Sequence, residues 1–290
     1  MFLMILPKIH LDGWSLSCRR AVFGWLTGLS LSICAAAPVA VDTELLLLVD
    51  ISGSTTDAQF DSMMTAYGRA MTSAAVLDAI QSGHTGKIAT SVMFFGGNQS
   101  QSVAVAWMEI SDLSSASNFA STIDASTRPF MGRTAIGSAM DASVPLFGTE
   151  TGAAENGFRS SSQIISVAGD GVDNDTPSRV PDRGVNVANA RNAALAAGVD
   201  MISGVAINDR NGKLNDYYTT YVIGGKIADT NAGVTSSDSY SQFEQALISQ
   251  LIAEIKLGAV AVPTISPVPE PSLPLLASLS CLFLLTRRRR

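Results

Sequence analysis

The run Glu44-Leu45-Leu46-Leu47-Leu48-Val49 constrains the fold most, because apolar side chains follow one another without alternation. A strand built from it must be buried on both faces, which is the condition of a parallel strand held between two helix layers. The chain continues as that arrangement requires. After Phe60, apolar positions recur at Met63, Met64, Tyr67, Met71, Ala74 and Ala75, a spacing of three and four that predicts an amphipathic helix with methionines as core filling. Lys87 to Phe95 predicts a second strand ended by Gly96-Gly97, and Ser102 to Ile110 a third, paired as a hairpin at an edge. Helices are expected over 115–125 and 135–147, and a buried strand over Gln163 to Ala168. Asn186 to Ala197 predicts an alanine-rich helix closed by Gly198, Val199 to Ile207 a further strand, and Tyr217 to Ile223 the last strand. Ser241-Gln242-Phe243-Glu244 has the form of a capping box opening a helix that buries Phe243, Leu247, Leu251 and Ile255. The alternation predicts an α/β, doubly wound (Rossmann-like) fold: a mostly parallel sheet with helices on both faces and ligands at the carboxyl ends of its strands.

Composition then narrows the chemistry. The three cysteines, Cys18, Cys34 and Cys281, fall near the two ends of the 290 residues, so the middle holds no disulfide, thiolate-zinc site or cysteine nucleophile. His84 is the single histidine of the body and sits between Ser82-Gly83 and Thr85-Gly86, a turn pattern, so a Ser-His-Asp hydrolase has little to build on. Residues 41–269 carry 12 of the 19 basic and 23 of the 25 acidic side chains, a net charge of −11. A body this acidic, without a basic stripe, argues against nucleic acid as a partner.

The two ends read as addresses. Residues 1–40 form a secretory signal segment: Ser17-Cys18-Arg19-Arg20, an apolar run from Ala21 to Ile33, then Ala35-Ala36-Ala37. Residues 259–271 are a proline-rich linker, with Pro263, Pro267, Pro269 and Pro271 favouring extended chain. Val268-Pro269-Glu270-Pro271, a short apolar helix from Leu273 to Leu285, and Arg287 to Arg290 close the chain. Residues 268–290 resemble the PEP-CTERM sorting signal, with its three parts in order. That resemblance implies export from a Gram-negative cell, transient inner-membrane anchoring, cleavage by an exosortase, and delivery to the cell surface or extracellular matrix. The apolar run reaches only about two-thirds of the ~20 residues that span hydrocarbon, which suits a transient anchor; a plain short tail anchor is the alternative.

Chemistry concentrates in three loops. The first strand ends in Asp50-Ile51-Ser52-Gly53-Ser54, the fourth in Gly169-Asp170-Gly171, and Gly132-Arg133-Thr134 sits just before a helix. In a doubly wound sheet these loops meet at one edge and present two carboxylates and three hydroxyls. An all-oxygen set suits magnesium or calcium rather than zinc.

Asp50-x-Ser52-x-Ser54, then Thr134, then Asp170 resembles the metal-ion-dependent adhesion site of the von Willebrand factor A family. The likeness extends over roughly residues 42–257, within a domain bounded at 41–258. It includes Gly169-Asp170-Gly171-Val172-Asp173-Asn174 and the late stretch Asp216-Tyr217-Tyr218 with Val222-Ile223-Gly224-Gly225, and is similar to an exported bacterial branch of undefined function. By this resemblance Ser52 and Ser54 coordinate Mg2+ (or Ca2+ or Mn2+) through their hydroxyls. Thr134 joins directly or through water, and Asp50 and Asp170 act largely through bound waters. A protein or matrix ligand offering an aspartate or glutamate carboxylate completes the shell, and no catalysis is implied.

Other readings bear on the same residues. Arg133 stands where a small residue is usual; it can fold away, pair with an acidic neighbour or meet an incoming carboxylate. Asp170 to Asp175 lacks the spacing of a helix–loop–helix calcium site and reads as a solvated acidic loop, and Asp209-Arg210-Asn211-Gly212 as a turn. A haloacid dehalogenase-like phosphatase would also place an aspartate after its first strand, but it needs a second one where this chain has Ser52, which moves no proton near neutral pH. A structural matrix protein with an inert site is the third reading.

Overall fold

The computed structural model describes residues 37–177 and 182–261. Of the expected end segments, the signal up to residue 36 and everything from residue 262, including the sorting signal, lie outside the described residues. Among the described residues no helix is long and apolar enough to cross a membrane.

In chain order the elements are β1 (Val39–Ala40), β2 (Thr43–Asp50), α1 (Asp57–Thr72), α2 (Ala74–Gln81), β3 (Ile88–Phe95), β4 (Gln101–Ile110), α3 (Leu113–Asp124) and α4 (Ile136–Ser143). Then come β5 (Phe158–Arg159), β6 (Gln163–Gly169), α5 (Arg183–Ala196), β7 (Met201–Ile207), α6 (Lys213–Tyr217), β8 (Gly224–Ile227), β9 (Thr230–Asn231), β10 (Val234–Ser237) and α7 (Phe243–Val260). The main sheet runs β4-β3-β2-β6-β7-β8-β9, with β10 also on β7. β2 lies parallel to β3 and β6, β6 parallel to β7, and β4 antiparallel to β3 at one edge, as expected from the sequence. This is the doubly wound α/β fold.

Every residue of β2 is buried, because alternate side chains serve opposite helix layers. Leu45, Leu47 and Val49 pack with α1, α2, α3 and α7, whereas Leu46 and Leu48 pack with α4 and α5. Each such leucine contributes about 2 kcal/mol by leaving water. β2 is followed in sequence by β3 on one side, while β6 flanks its other side. The carboxyl ends of β2 and β6 therefore border the crevice where the winding reverses direction, the place such sheets bind ligands.

Three local expectations are corrected. Tyr217 to Ile223 is not a strand: α6 runs into a π turn over Tyr218–Val222, closed by Ile223 N donating to Tyr218 O at 3.0 Å. Its aromatic and β-branched residues favour strand locally, but the Asp209 carboxylate accepts from the backbone N–H groups of Leu214 and Asn215 at 3.1 and 2.9 Å and starts a helix. Tyr218 and Val222 then bury on one helical face. The helix after Phe60 breaks at Ser73, whose extended backbone and side-chain oxygen cap α2, leaving Ala74 and Ala75 exposed. The capping box at Ser241 is not formed. A 3₁₀ turn over Tyr240–Gln242 leads directly into α7, and the Ser241 hydroxyl pairs with that of Ser239 at 2.8 Å. The expected apolar face of α7 is buried.

Candidate metal centre

Asp50 is the last residue of β2, and its side chain folds back over the turn that follows. Oδ1 accepts the backbone N–H of Ser52 at 2.8 Å, an Asx-type contact that aims the Ser52 hydroxyl inward. Oδ2 is fully buried and has no hydrogen-bond partner among the described residues. Burial pushes the Asp50 carboxyl up to about 7, against the hydrogen bonds from Ser52; the negative charge of Asp170 adds to the rise and Arg128 opposes it.

The three expected loops converge. Thr134 Oγ1 donates to Ser52 Oγ at 3.0 Å, Ser52 Oγ lies 3.1 Å from Ser54 Oγ, and Ser54 Oγ donates to Asp170 Oδ1 at 2.6 Å. Ser52 and Thr134 are buried, Ser54 is exposed and Asp170 is half-buried, so the row of oxygens rises from the core to the surface. All five sequence-derived residues thus gather at one place.

Glycines permit the approach. Gly53 N donates to Gly132 O at 2.7 Å, and a methyl on Gly53 would stand 3.1 Å from that oxygen. Gly132 itself has φ +135°, open to glycine at little cost. Thr134 is fixed from the other side by the β6 loop: Asn174 N and Asp175 N donate to its carbonyl at 2.8 and 3.0 Å, and its own N–H donates to Asn174 Oδ1 at 3.1 Å.

Several supporting residues escape sequence reasoning. The side chain of Arg128 is largely covered and donates to Ile51 O at 2.7 Å and Ser52 O at 2.6 Å, clamping the β2 turn, while its Nη1 meets Asp57 at 3.0 Å. Tyr240 donates to Asp170 Oδ2 at 2.9 Å and lies 3.2 Å from Thr55 Oγ1. Neither has a spacing or motif signal. Arg133 takes the second of its three readings: it donates to Asn174 O at 3.2 Å and faces Asp175 at 3.9 Å. The loop after Asp170 is not simply solvated. Asp173 is buried and accepts from Gly137 N, Thr176 N and Thr176 Oγ1 at 3.2, 3.0 and 2.6 Å.

The donor set fits a small hard cation. It consists of hydroxyl and carboxylate oxygens, and among the described residues no three His, Cys, Asp or Glu side chains cluster as a softer or carboxylate-only site would need. Neighbouring ligands of an octahedral cation with bonds of ~2.1 Å lie about 3 Å apart. The Thr134–Ser52 and Ser52–Ser54 separations match that spacing. The unpartnered, buried Asp50 Oδ2 supplies a negative end that a cation would balance.

Residues 40–259 match a family model described as "Protein of unknown function (DUF1194)". No curated protein matches the chain. Among solved structures, proximal thread matrix protein 1 from the mussel byssus aligns with a TM-score of 0.51 at 16% identity, covering 75% of this chain and 49% of that one. A further structure of that protein, with a zinc-occupied MIDAS motif, aligns with the same values. The pilus adhesin SpaC from Lactobacillus rhamnosus GG aligns with a TM-score of 0.51 at 15% identity, over 76% of this chain and 31% of its own. A von Willebrand factor type A structure from Catenulispora acidiphila gives 0.45 at 14% identity, over 76% and 43%. The chain thus spans half or less of the length of these neighbours, and the likeness to the first two is one of fold.

Proposed function

This chain belongs to that DUF1194 family, and we propose that it is an exported surface or matrix protein that holds a divalent cation and recognises a partner carboxylate through it, without catalysis. Ser52, Ser54 and Thr134 offer hydroxyl oxygens, and Asp50 and Asp170 balance the charge. Magnesium, calcium or manganese fits this oxygen set. The zinc-occupied MIDAS of the mussel matrix protein makes zinc the fourth ion to try. When bound, such a cation keeps an open coordination position for an aspartate or glutamate oxygen. The observation that carries the reading is the unbroken row Thr134–Ser52–Ser54–Asp170, with contacts of 3.0, 3.1 and 2.6 Å, beside the buried oxygen of Asp50.

Calorimetric titration of the full chain with each cation tests it. Saturable uptake by the wild type, lost in Ser52→Ala and Asp170→Ala, is the expected result. No uptake, or equal uptake by the variants, overturns the metal reading and leaves an inert matrix protein. Hydrolysis of an aryl phosphate that disappears with Asp50→Asn would make the chain a phosphatase instead.

A further inference from the structure

The stretch Asp216-Tyr217-Tyr218 forms no strand, yet both of its aromatic rings reach the underside of the site. Tyr217 Oη accepts the backbone N–H of Asp173 at 3.3 Å, steadying the loop that follows β6. Tyr218 goes deeper. Its side chain is fully buried, and its phenol oxygen, like Asp50 Oδ2, has no hydrogen-bond partner among the described residues.

These two oxygens border one small space. A methyl group on Gly169, the last residue of β6, would stand 2.8 Å from Tyr218 Oη and 3.1 Å from Asp50 Oδ2. Gly204 on β7 is small for the same reason: a methyl there would meet two ring carbons of Tyr218 at 2.9 and 3.1 Å. Glycines on two adjacent strands therefore clear the path by which the ring approaches Asp50. Tyr218 also opens the π turn, a wide turn frequent at functional sites. Phenylalanine would fill the same volume without burying a hydroxyl, and a buried phenol is costly unless it finds an acceptor. The nearby oxygen that lacks a donor is Asp50 Oδ2.

We infer that Tyr218 is a positioning residue for Asp50: its phenol, which makes no direct bond to the carboxylate, donates to Oδ2 through one bridging water. Fixing that oxygen holds the carboxylate plane, so that Oδ1 keeps the Ser52 N–H and the hydroxyl row stays aligned. The inference rests on the metal reading for its consequence, but the Tyr218–Asp50 interaction exists with or without a cation. Tyr218 acts through Asp50 and touches no ligand itself.

Four full-length proteins decide the matter: wild type, Tyr218→Phe, Asp50→Ala and the double variant. Tyr218→Phe keeps the ring and is expected to retain the wild-type circular dichroism spectrum while binding magnesium about tenfold more weakly, the usual scale for a lost outer hydrogen bond. In metal-free buffer the shift of the thermal midpoint caused by Tyr218→Phe is expected to vanish in the Asp50→Ala background, the non-additivity of a coupled pair. Equal magnesium affinity of wild type and Tyr218→Phe, or additive midpoints, overturns the inference. If the wild type takes up no magnesium, the metal reading has failed, and the metal-free coupling alone decides for or against the Tyr218–Asp50 interaction.

Discussion

The Tyr240 hydroxyl donates to Asp170 Oδ2 at 2.9 Å, across 70 positions of sequence, while Ser54 donates to Oδ1 of the same carboxylate at 2.6 Å. Asp170 is thereby held from both ends, one bond coming from the β2 turn and the other from the turn that leads into α7. Tyr240→Phe removes one of these bonds without changing the shape of the ring. The expected outcome is a magnesium affinity lowered about tenfold, with little change in the metal-free unfolding temperature, because the Asp170 oxygen it exposes is half-buried and can turn to water. Calorimetry on the full chain reads the first quantity and thermal unfolding in chelator the second.

Arg128 separates two contributions that one ion pair would otherwise blur. Its side chain is 8% exposed, whereas that of its partner Asp57 is 87% exposed. The salt bridge is therefore screened and contributes little, about 0–1 kcal/mol. The donations to Ile51 O and Ser52 O are partly buried and charge-assisted, and removing them adds a cost for any carbonyl left unpaired. Asp57→Ala is expected to cost under ~1 kcal/mol and Arg128→Met ~2–3 kcal/mol in urea unfolding. Equal losses in the two variants would mean that the pair, and not the carbonyl clamp, matters.

The difference between what was legible in the sequence and what was not follows from how far each signal reaches. Leu45 to Val49 declares a doubly buried strand because the burial of every position is written into consecutive residues. Asp50, Ser52, Ser54, Thr134 and Asp170 are legible because each sits at a strand end or helix start marked by glycine, and the fold brings such places to one edge. Tyr240 and Arg128 are not, since each acts through a long side chain on a segment distant in sequence and nothing local distinguishes them from core or surface residues, while Tyr218 stands out only as part of a stretch shared with the family and without a role. The stretch Tyr217 to Ile223 shows the opposite failure. Its local preference for strand is strong, but Asp209 supplies two acceptors for a helix start, and the pocket opened by Gly169 and Gly204 takes Tyr218.

Glu44 sets a pH dependence at the other end of β2. Burial, the largest cause, pushes its carboxyl up to about 7, with the charge of Glu150 adding to the rise and hydrogen bonds from Asn156 and Ser160 at 2.5 and 2.9 Å opposing it. The folded state thus binds this proton more tightly than the unfolded chain, whose value is near 4.5. For an acid raised in this direction, stability is fully present below ~4.5 and is lost as pH rises toward ~7. The shift corresponds to roughly 3 kcal/mol as an upper bound. Glu44→Gln keeps the shape, its carbonyl can accept from Asn156, and its amide can donate to the Ser160 hydroxyl. Urea midpoints measured from pH 4 to 8 are expected to fall more steeply for wild type than for Glu44→Gln, with the variant the more stable at pH 8. Parallel curves would show that Glu44 does not titrate in that window.

Asp173 tests whether the loop after β6 is structural. Helix α4 begins at Ile136, and its N-cap residue Ala135 supplies no side-chain cap. Its first turn is served instead from the far loop: Gly137 N donates to Asp173 Oδ2 at 3.2 Å and Ser138 N to Thr176 Oγ1 at 3.2 Å. A carboxylate there also meets the positive end of the helix. Asp173→Ala leaves buried N–H groups unpaired and is expected to cost ~3 kcal/mol, whereas Asp175→Ala, which loses the Asn98 N contact and a loose ion pair with Arg133, costs about 1 kcal/mol. Because Thr134 lies two residues before α4 and its carbonyl is held by the same loop, the Asp173 variant should also bind magnesium more weakly in protein that remains folded. Chemical denaturation in chelator, followed by magnesium titration of the folded fraction, measures both effects. A solvated loop without a structural part would leave both quantities at their wild-type values.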